Sequence, residues 1–120
     1  LYPALLDDIF KVKNARSRMA ILVSAEGAII ELQQCENPAI QRTPPTQQRY
    51  GHTGVHELGL LVTDIDGWFS RVREAGYETQ TDYVWPCGDF GRSFLFYDAD
   101  GNMIQLWEHM ATTTHRGAST

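Results

Sequence analysis

Displaced by 74 positions, the chain falls on itself. Arg18-Met-Ala-Ile-Leu-Val-Ser-Ala-Glu-Gly-Ala-Ile-Ile-Glu-Leu32 then lies on Arg92-Ser-Phe-Leu-Phe-Tyr-Asp-Ala-Asp-Gly-Asn-Met-Ile-Gln-Leu106. Arg18/Arg92, Ala25/Ala99, Gly27/Gly101, Ile30/Ile104 and Leu32/Leu106 are identical, and Glu26/Asp100 and Glu31/Gln105 are close in kind. Each copy reads as strand, tight glycine turn, strand. A period this long points to two copies of a small αβ module rather than a solenoid array. A strand and a helix precede the second hairpin, and the same offset places their counterparts ahead of Leu1. The first copy is therefore expected to be incomplete, with no helix of its own.

The remaining pattern sets the elements. Residues 16–24 and 28–34 alternate as a hairpin and form the partial first module, 1–34. Residues 35–54, with Pro38, Pro44 and Pro45, read as a linker. Residues 55–108 read as one complete βαβββ module. Its strand covers 55–63, and its helix runs from Thr63 or Asp64 to about Ala75 with a stripe of Ile65, Trp68, Phe69 and Val72. Gly76 stops the helix, and strands follow over 78–84, 92–97 and 102–108. Residues 109–120 are small and polar, a flexible tail. At 120 residues the chain has room for one modest domain.

A net charge of −5 with no basic patch speaks against nucleic acid as partner. No apolar run approaches the roughly 18 residues that cross a bilayer, so no membrane association is expected. Cys35 and Cys87 are isolated, which suits a reducing, cytoplasmic location. Asp98-Ala-Asp-Gly101 resembles the start of a calcium loop, but the later ligands are absent, and it reads as a hairpin turn with Gly101 at positive φ. His52, His109 and His115 fall in linker or tail. Neither cysteine has an identifiable basic neighbour, and no nucleophilic triad is visible, so no catalytic residue is assigned.

Gly54-Val-His-Glu-Leu-Gly-Leu-Leu-Val and Phe94-Leu-Phe-Tyr-Asp-Ala-Asp-Gly-Asn-Met-Ile-Gln-Leu-Trp-Glu108 resemble the opening strand and closing hairpin of the vicinal oxygen chelate superfamily. This group includes glyoxalase I, bleomycin-resistance proteins, fosfomycin-resistance enzymes and extradiol dioxygenases. Gly27-Ala-Ile-Ile-Glu-Leu32 matches more thinly. The resemblance implies an α+β fold of paired βαβββ modules, with mixed sheets curled around a cleft. In metal-dependent members a His or Gln and a Glu from each module line that cleft. His56 and Glu31 occupy two of those positions, Gln105 stands where Glu is usual, and the fourth falls ahead of Leu1. Imidazole and carboxylate with open positions suit one divalent metal (Fe, Mn, Ni or Zn), weakened by the neutral amide, or none. By strand alternation Ile29, Glu31 and Gln33 share a face, as do Met103, Gln105 and Trp107, and as do His56, Leu58, Leu60 and Val62; Glu108 lies opposite Gln105.

Trp85-Pro-Cys-Gly-Asp-Phe-Gly-Arg-Ser-Phe94 is similar to the segment before the closing strands of bleomycin-resistance-type proteins, whose grooves are acidic and aromatic. On that resemblance Trp107, Trp85, Phe90, Gln105 and Gln33 are candidate ligand contacts. Two function classes follow. One is a small-molecule-binding protein that sequesters an aromatic or cationic compound. The alternative is a divalent-metal-dependent lyase or isomerase, thiol transferase or dioxygenase. The exposed sheet face expected of a module without its helix predicts a homodimer that completes the cleft.

Overall fold

A computed structural model describes residues 3–44 and 49–110 of the chain. Its elements are α1 (Pro3–Phe10), β1 (Arg16–Val23), β2 (Ile29–Asn37), β3 (Glu57–Leu61), α2 (Ile65–Glu74), β4 (Trp85–Cys87), β5 (Gly91–Tyr97) and β6 (Met103–His109). They divide into two units, Leu1–Arg42 and Thr43–Thr120. The α+β class and the paired-module plan are as expected. No helix among the described residues is long and apolar enough to cross a membrane.

Unit 1 is an antiparallel hairpin preceded by a helix. The turn after β1 closes through Ser24 N to Ala28 O (2.9 Å), Gly27 N to Ser24 O (3.1 Å) and Ala28 N to Ser24 Oγ (3.1 Å). Gly27 there adopts φ 88°, a conformation that only glycine enters without steric cost. β2 runs three residues beyond the expected Gln34 and ends at Asn37, whose Nδ2 donates to Lys13 O (2.9 Å) and Asn14 O (2.8 Å). The linker expected from residue 35 thus begins inside a strand. α1 itself corrects the expectation of a first module without a helix. α2 starts 91 − 65 = 26 residues before β5, whereas α1 starts 16 − 3 = 13 residues before β1. The offset that aligns the hairpins therefore does not carry back to the helices. Between helix and hairpin, unit 1 lacks the stretch that in unit 2 contains β4. Asp7 joins α1 to β1 directly, its carboxylate accepting from Asn14 N (3.0 Å) and Ala15 N (2.7 Å).

Unit 2 holds a four-stranded sheet in the order β3-β6-β5-β4, with β3 parallel to β6 and the other pairs antiparallel. α2 covers one face. Its Ile65 and Val72 form a core with Phe94 and Leu106, joined by Leu60, Val62, Phe69, Phe96 and Ile104. Phe69 meets Phe94 edge to face, with centroids 5.1 Å apart. Trp68, expected in the stripe, lies outside it, 39% exposed with the Arg71 guanidinium 4.4 Å from its ring centroid. Asp64 caps the helix by accepting from Gly67 N (3.2 Å), and Gly76 follows its end at φ 87°. Glu108, from β6, reaches under the same N-terminus and accepts from Asp64 N (2.6 Å) and Ile65 N (3.3 Å).

The strand expected over 78–84 does not form. Thr79 makes only an isolated bridge to Phe96, and the regular strand is β4. Threonine hydroxyls take the backbone acceptors instead: Thr79 Oγ1 donates to Thr81 O and Thr81 Oγ1 to Tyr83 O, each at 2.7 Å. The opening strand is also shorter than 55–63, because Val55 is fully exposed and unpaired in the sheet. Beyond Met110 the expected tail lies outside the described residues, as does part of the linker.

Candidate functional site

The pleat of unit 2 gives every strand residue one of two faces. Leu106 and Ile104 pack towards α2. Leu95, Tyr97 and Met103 form a second cluster on the opposite face, and Trp85, on the edge strand β4, packs against both clusters. Register arranges that opposite face in three rows. Trp85 pairs with Ser93, Ser93 with Trp107, and Trp107 with Leu61. Leu95 pairs with Gln105, and Gln105 with Gly59. Tyr97 pairs with Met103, and Met103 with Glu57.

The first row brings together two of the expected ligand contacts. Trp85 and Trp107 are half-buried and flank Ser93, which is fully buried and satisfied by donating its Oγ hydrogen to Leu106 O (2.8 Å). Trp107 Nε1 donates to His109 Nδ1 (3.1 Å), and its indole lies against Gly91, where an added Cβ would stand 3.1 Å from Cε2 and Cζ2. Gln105 is half-buried in the next row, its Oε1 3.6 Å from where Gly59 would carry a Cβ. Phe90 sits apart, 66% exposed in the β4–β5 turn, with its carbonyl accepting from Met110 N (3.0 Å). Gln33 belongs to unit 1, where its Nε2 donates to Ser17 Oγ (3.2 Å).

The metal candidates distribute differently. Glu31 is exposed on β2 of unit 1, registered with Ile21. His56 precedes β3, and its Nε2 is hydrogen-bonded to the carbonyl oxygen of His52 in the same loop. Its position continues the line of Leu58 and Leu60, and Leu60 packs in the α2 core, whereas Glu57 and Gly59 register with Met103 and Gln105. Within unit 2, the row positions around Gln105 therefore supply one carboxylate and one amide. That is fewer than the three or more protein donors of a catalytic divalent-metal centre, and this donor set alone does not fit one. No group of three or more His, Cys, Asp or Glu side chains suited to a metal occurs among the described residues. Asp98 is committed to its turn, accepting from Asp100 N (2.9 Å), Asn102 N (2.8 Å) and Asn102 Nδ2 (3.0 Å).

Five side chains on or beside this face escaped the sequence reading. Glu57 accepts from Tyr50 Oη (2.6 Å), and that bond, followed by desolvation and the carboxylate's charge, pushes the Tyr50 phenol up to about 12. Arg49 lies over the Tyr97 ring with Cζ 3.6 Å from the centroid, and Tyr97 Oη is hydrogen-bonded to Gln80 Oε1. A signal for Glu57 was present. The aliphatic line Leu58, Leu60, Val62 beside an amphipathic helix marks the helix-facing row, leaving Glu57 and Gly59 on the other. Arg49 and Tyr50 sit in a stretch with no periodicity to read.

The profile of the Glyoxalase/Bleomycin resistance protein/Dioxygenase superfamily matches residues 5–106. Among solved structures, a glyoxalase family protein from Bacillus cereus superposes with a TM-score of 0.79 at 20% identity, over 92% of this chain and 73% of that one. A glyoxalase/dioxygenase from Nostoc punctiforme gives 0.62 at 21% identity, over 90% and 68%. The fosfomycin resistance protein FosX from Listeria monocytogenes, complexed with Mn(II) and sulfate, gives 0.50 at 18% identity, over 90% and 78%. No curated protein matches the chain. The profile match spans the helix and hairpin of unit 1 and all but the last residues of the unit 2 sheet, and on it the chain belongs to the glyoxalase/bleomycin-resistance/dioxygenase, or vicinal oxygen chelate, superfamily.

Proposed function

We propose that the chain is a small-molecule-binding member of this superfamily that takes a planar aromatic compound on the unit 2 face opposite α2. The observation that carries the reading is the row Trp85–Ser93–Trp107. Two indole-bearing strands stand two strand spacings apart, about 10 Å, over a small buried serine, and the half-exposed indoles present an aromatic surface to one ring. Gln105 in the adjoining row offers an amide donor and acceptor to orient it. The two unpaired thiols, Cys35 and Cys87, support a reducing, cytoplasmic setting.

The test is a screen of aromatic compounds by tryptophan fluorescence, repeated with Trp107→Phe while Trp68 and Trp85 stay in place. The Trp107 share of the signal is expected to be lost, leaving that of Trp85, and affinity to fall several-fold. A ligand whose signal and affinity survive unaltered refutes the placement.

A second reading, a divalent-metal-dependent lyase, isomerase, thiol transferase or dioxygenase, draws support from the Mn(II) in the FosX structure. Replacing His56, Glu31 or Gln105 lowers metal affinity if this reading holds. We also propose a homodimer. Unit 1 has a helix of its own, yet Ile21, Val23, Ile29 and Leu32 are 61%, 65%, 68% and 54% exposed on its two-stranded sheet. Such a hairpin is marginal alone, and a second copy would cover it. Sedimentation of a well-folded monomer at micromolar concentration would exclude this.

A further inference from the structure

We infer that Arg49 anchors an oxyanion, a carboxylate or phosphoryl group, carried by the ligand of the unit 2 face. The position of the ligand's ring rests on the proposed function above; the anchor itself does not.

The guanidinium lies over Tyr97, Cζ 3.6 Å from the ring centroid, and Tyr97 is only 6% exposed, held by its strand and by Gln80. Stacking fixes the plane of the fork and leaves its N–H edges as the groups able to bond. Arg49 Nη1 is buried and has no hydrogen-bond partner among the described residues. A guanidinium does not lose its proton at accessible pH, so burial cannot be relieved by neutralisation. It is relieved only by an acceptor, and a paired oxyanion matches the fork in two parallel bonds.

Among the described residues, the surroundings of Nη1 do not supply that acceptor. The carboxylate of this row is Glu57, two strands from Tyr97 and about 10 Å away at ordinary strand spacing. It is already engaged by Tyr50 at 2.6 Å. Tyr50, whose O–H already donates to Glu57, has no further hydrogen to offer an anion. An arriving oxyanion is thus attracted at the Tyr97 end of the row and repelled at the Glu57 end, which orients the ligand.

Length follows from the rows. Trp107 and Met103 are four residues apart on β6, about 13 Å at the strand rise. A ligand touching both the indole row and Arg49 therefore has its ring and oxyanion separated by a spacer of several atoms.

The experiment has two independent readouts. In wild-type protein, inorganic phosphate and acetate should each shift the Arg49 Nε–Hε resonance, assigned by its loss in Arg49→Gln; no shift with either anion overturns the anchor. Separately, ω-phenylalkanoates from benzoate to 7-phenylheptanoate are compared by calorimetry with their neutral amides. The acid-over-amide ratio should reach about tenfold at a spacer that spans the rows. It should collapse towards one in Arg49→Gln and be partly kept in Arg49→Lys. A ratio that persists in a folded Arg49→Gln overturns the inference. Anion shifts at Arg49 without any Trp107 response would support the anchor while refuting the proposed ring site. Trp107 quenching by the amides with no anion response would do the reverse.

Discussion

Gly91→Ala is the sharpest test of how the sheet is built beneath Trp107. An ideal Cβ on Gly91 would stand 2.3 Å from Glu108 O and 3.1 Å from two atoms of the Trp107 ring. A relaxed carbon–oxygen contact is about 3.3–3.6 Å, so β5 and β6 must separate by roughly 1 Å, or the ring must leave. The ring could rotate away, but the carbonyl belongs to the β6 backbone and moves only with the strand. Overpacking of this kind costs about 1–3 kcal/mol, and a backbone obstacle puts this case in the upper half. Gly91 and His109 are the last pair of the ladder, so the end can splay rather than unzip the sheet. We therefore expect a loss of about 2–3 kcal/mol, close to 10 °C in Tm for a chain of this size. Urea unfolding followed by near-ultraviolet circular dichroism reads both stability and the Trp107 environment. Gly59→Ala is the matched control, since its Cβ would lie 3.6 Å from Gln105 Oε1, an ordinary contact. It should keep stability within about 1 kcal/mol and weaken ligand binding by crowding Gln105. A Gly91→Ala variant within about 0.5 kcal/mol of wild type would refute the close-approach argument.

Glu108→Ala should cost about 1.5–3 kcal/mol by denaturant unfolding, because the carboxylate satisfies Asp64 N and Ile65 N at the start of α2. Glu108→Gln, which keeps an acceptor but removes the charge from the helix N-terminus, should lose about half that or less. Tyr50, raised to about 12 by Glu57, is favoured in its protonated form by folding. Its contribution is present below the unfolded value near 10 and is lost as pH rises towards 12; phenolate absorbance should show one late-titrating tyrosine, removed by Tyr50→Phe. Gln105→Glu places a second carboxylate on the face that carries Glu57 and should raise divalent-metal affinity; calorimetry with Mn(II) and Zn(II) showing no gain would remove Gln105 from any metal role.

The hairpins and α2 were legible in the sequence because their signals are local. Gly27 and Gly101 fix the two turns, and Ile65, Phe69 and Val72 recur at helical spacing. α1 was hidden by applying one offset to the whole chain, when the two modules differ in the length between helix and hairpin. β4 was misplaced because β-rich threonines at 79 and 81 were read as ladder residues, while their hydroxyls hold a non-ladder backbone. Alternation along β6 puts Met103, Gln105 and Trp107 on one face, whereas the row that joins Trp107 to Ser93 and Trp85 needs the register of three strands. The alternation of Leu58 and Leu60 is local, but the side towards which that line packs is not. That depends on which side α2 packs, a tertiary fact that the apolar run Leu58, Leu60, Val62 encodes only when set against the helix stripe. Arg49 acquires its role from Tyr97, far along the chain, and Tyr50 from Glu57 at the start of β3.

The parallel pairing of β3 with β6 carries a kinetic consequence. β5 and β6 close through a short turn, and β4 joins β5 through another, so three strands can assemble by local steps. β3 reaches β6 only across the whole of α2, β4 and β5, the longest loop closure in unit 2. In a refolding experiment the indole environment should therefore mature before Glu57 meets Met103. Substitutions in β3 should mainly speed unfolding, whereas those at the β5–β6 turn should slow folding.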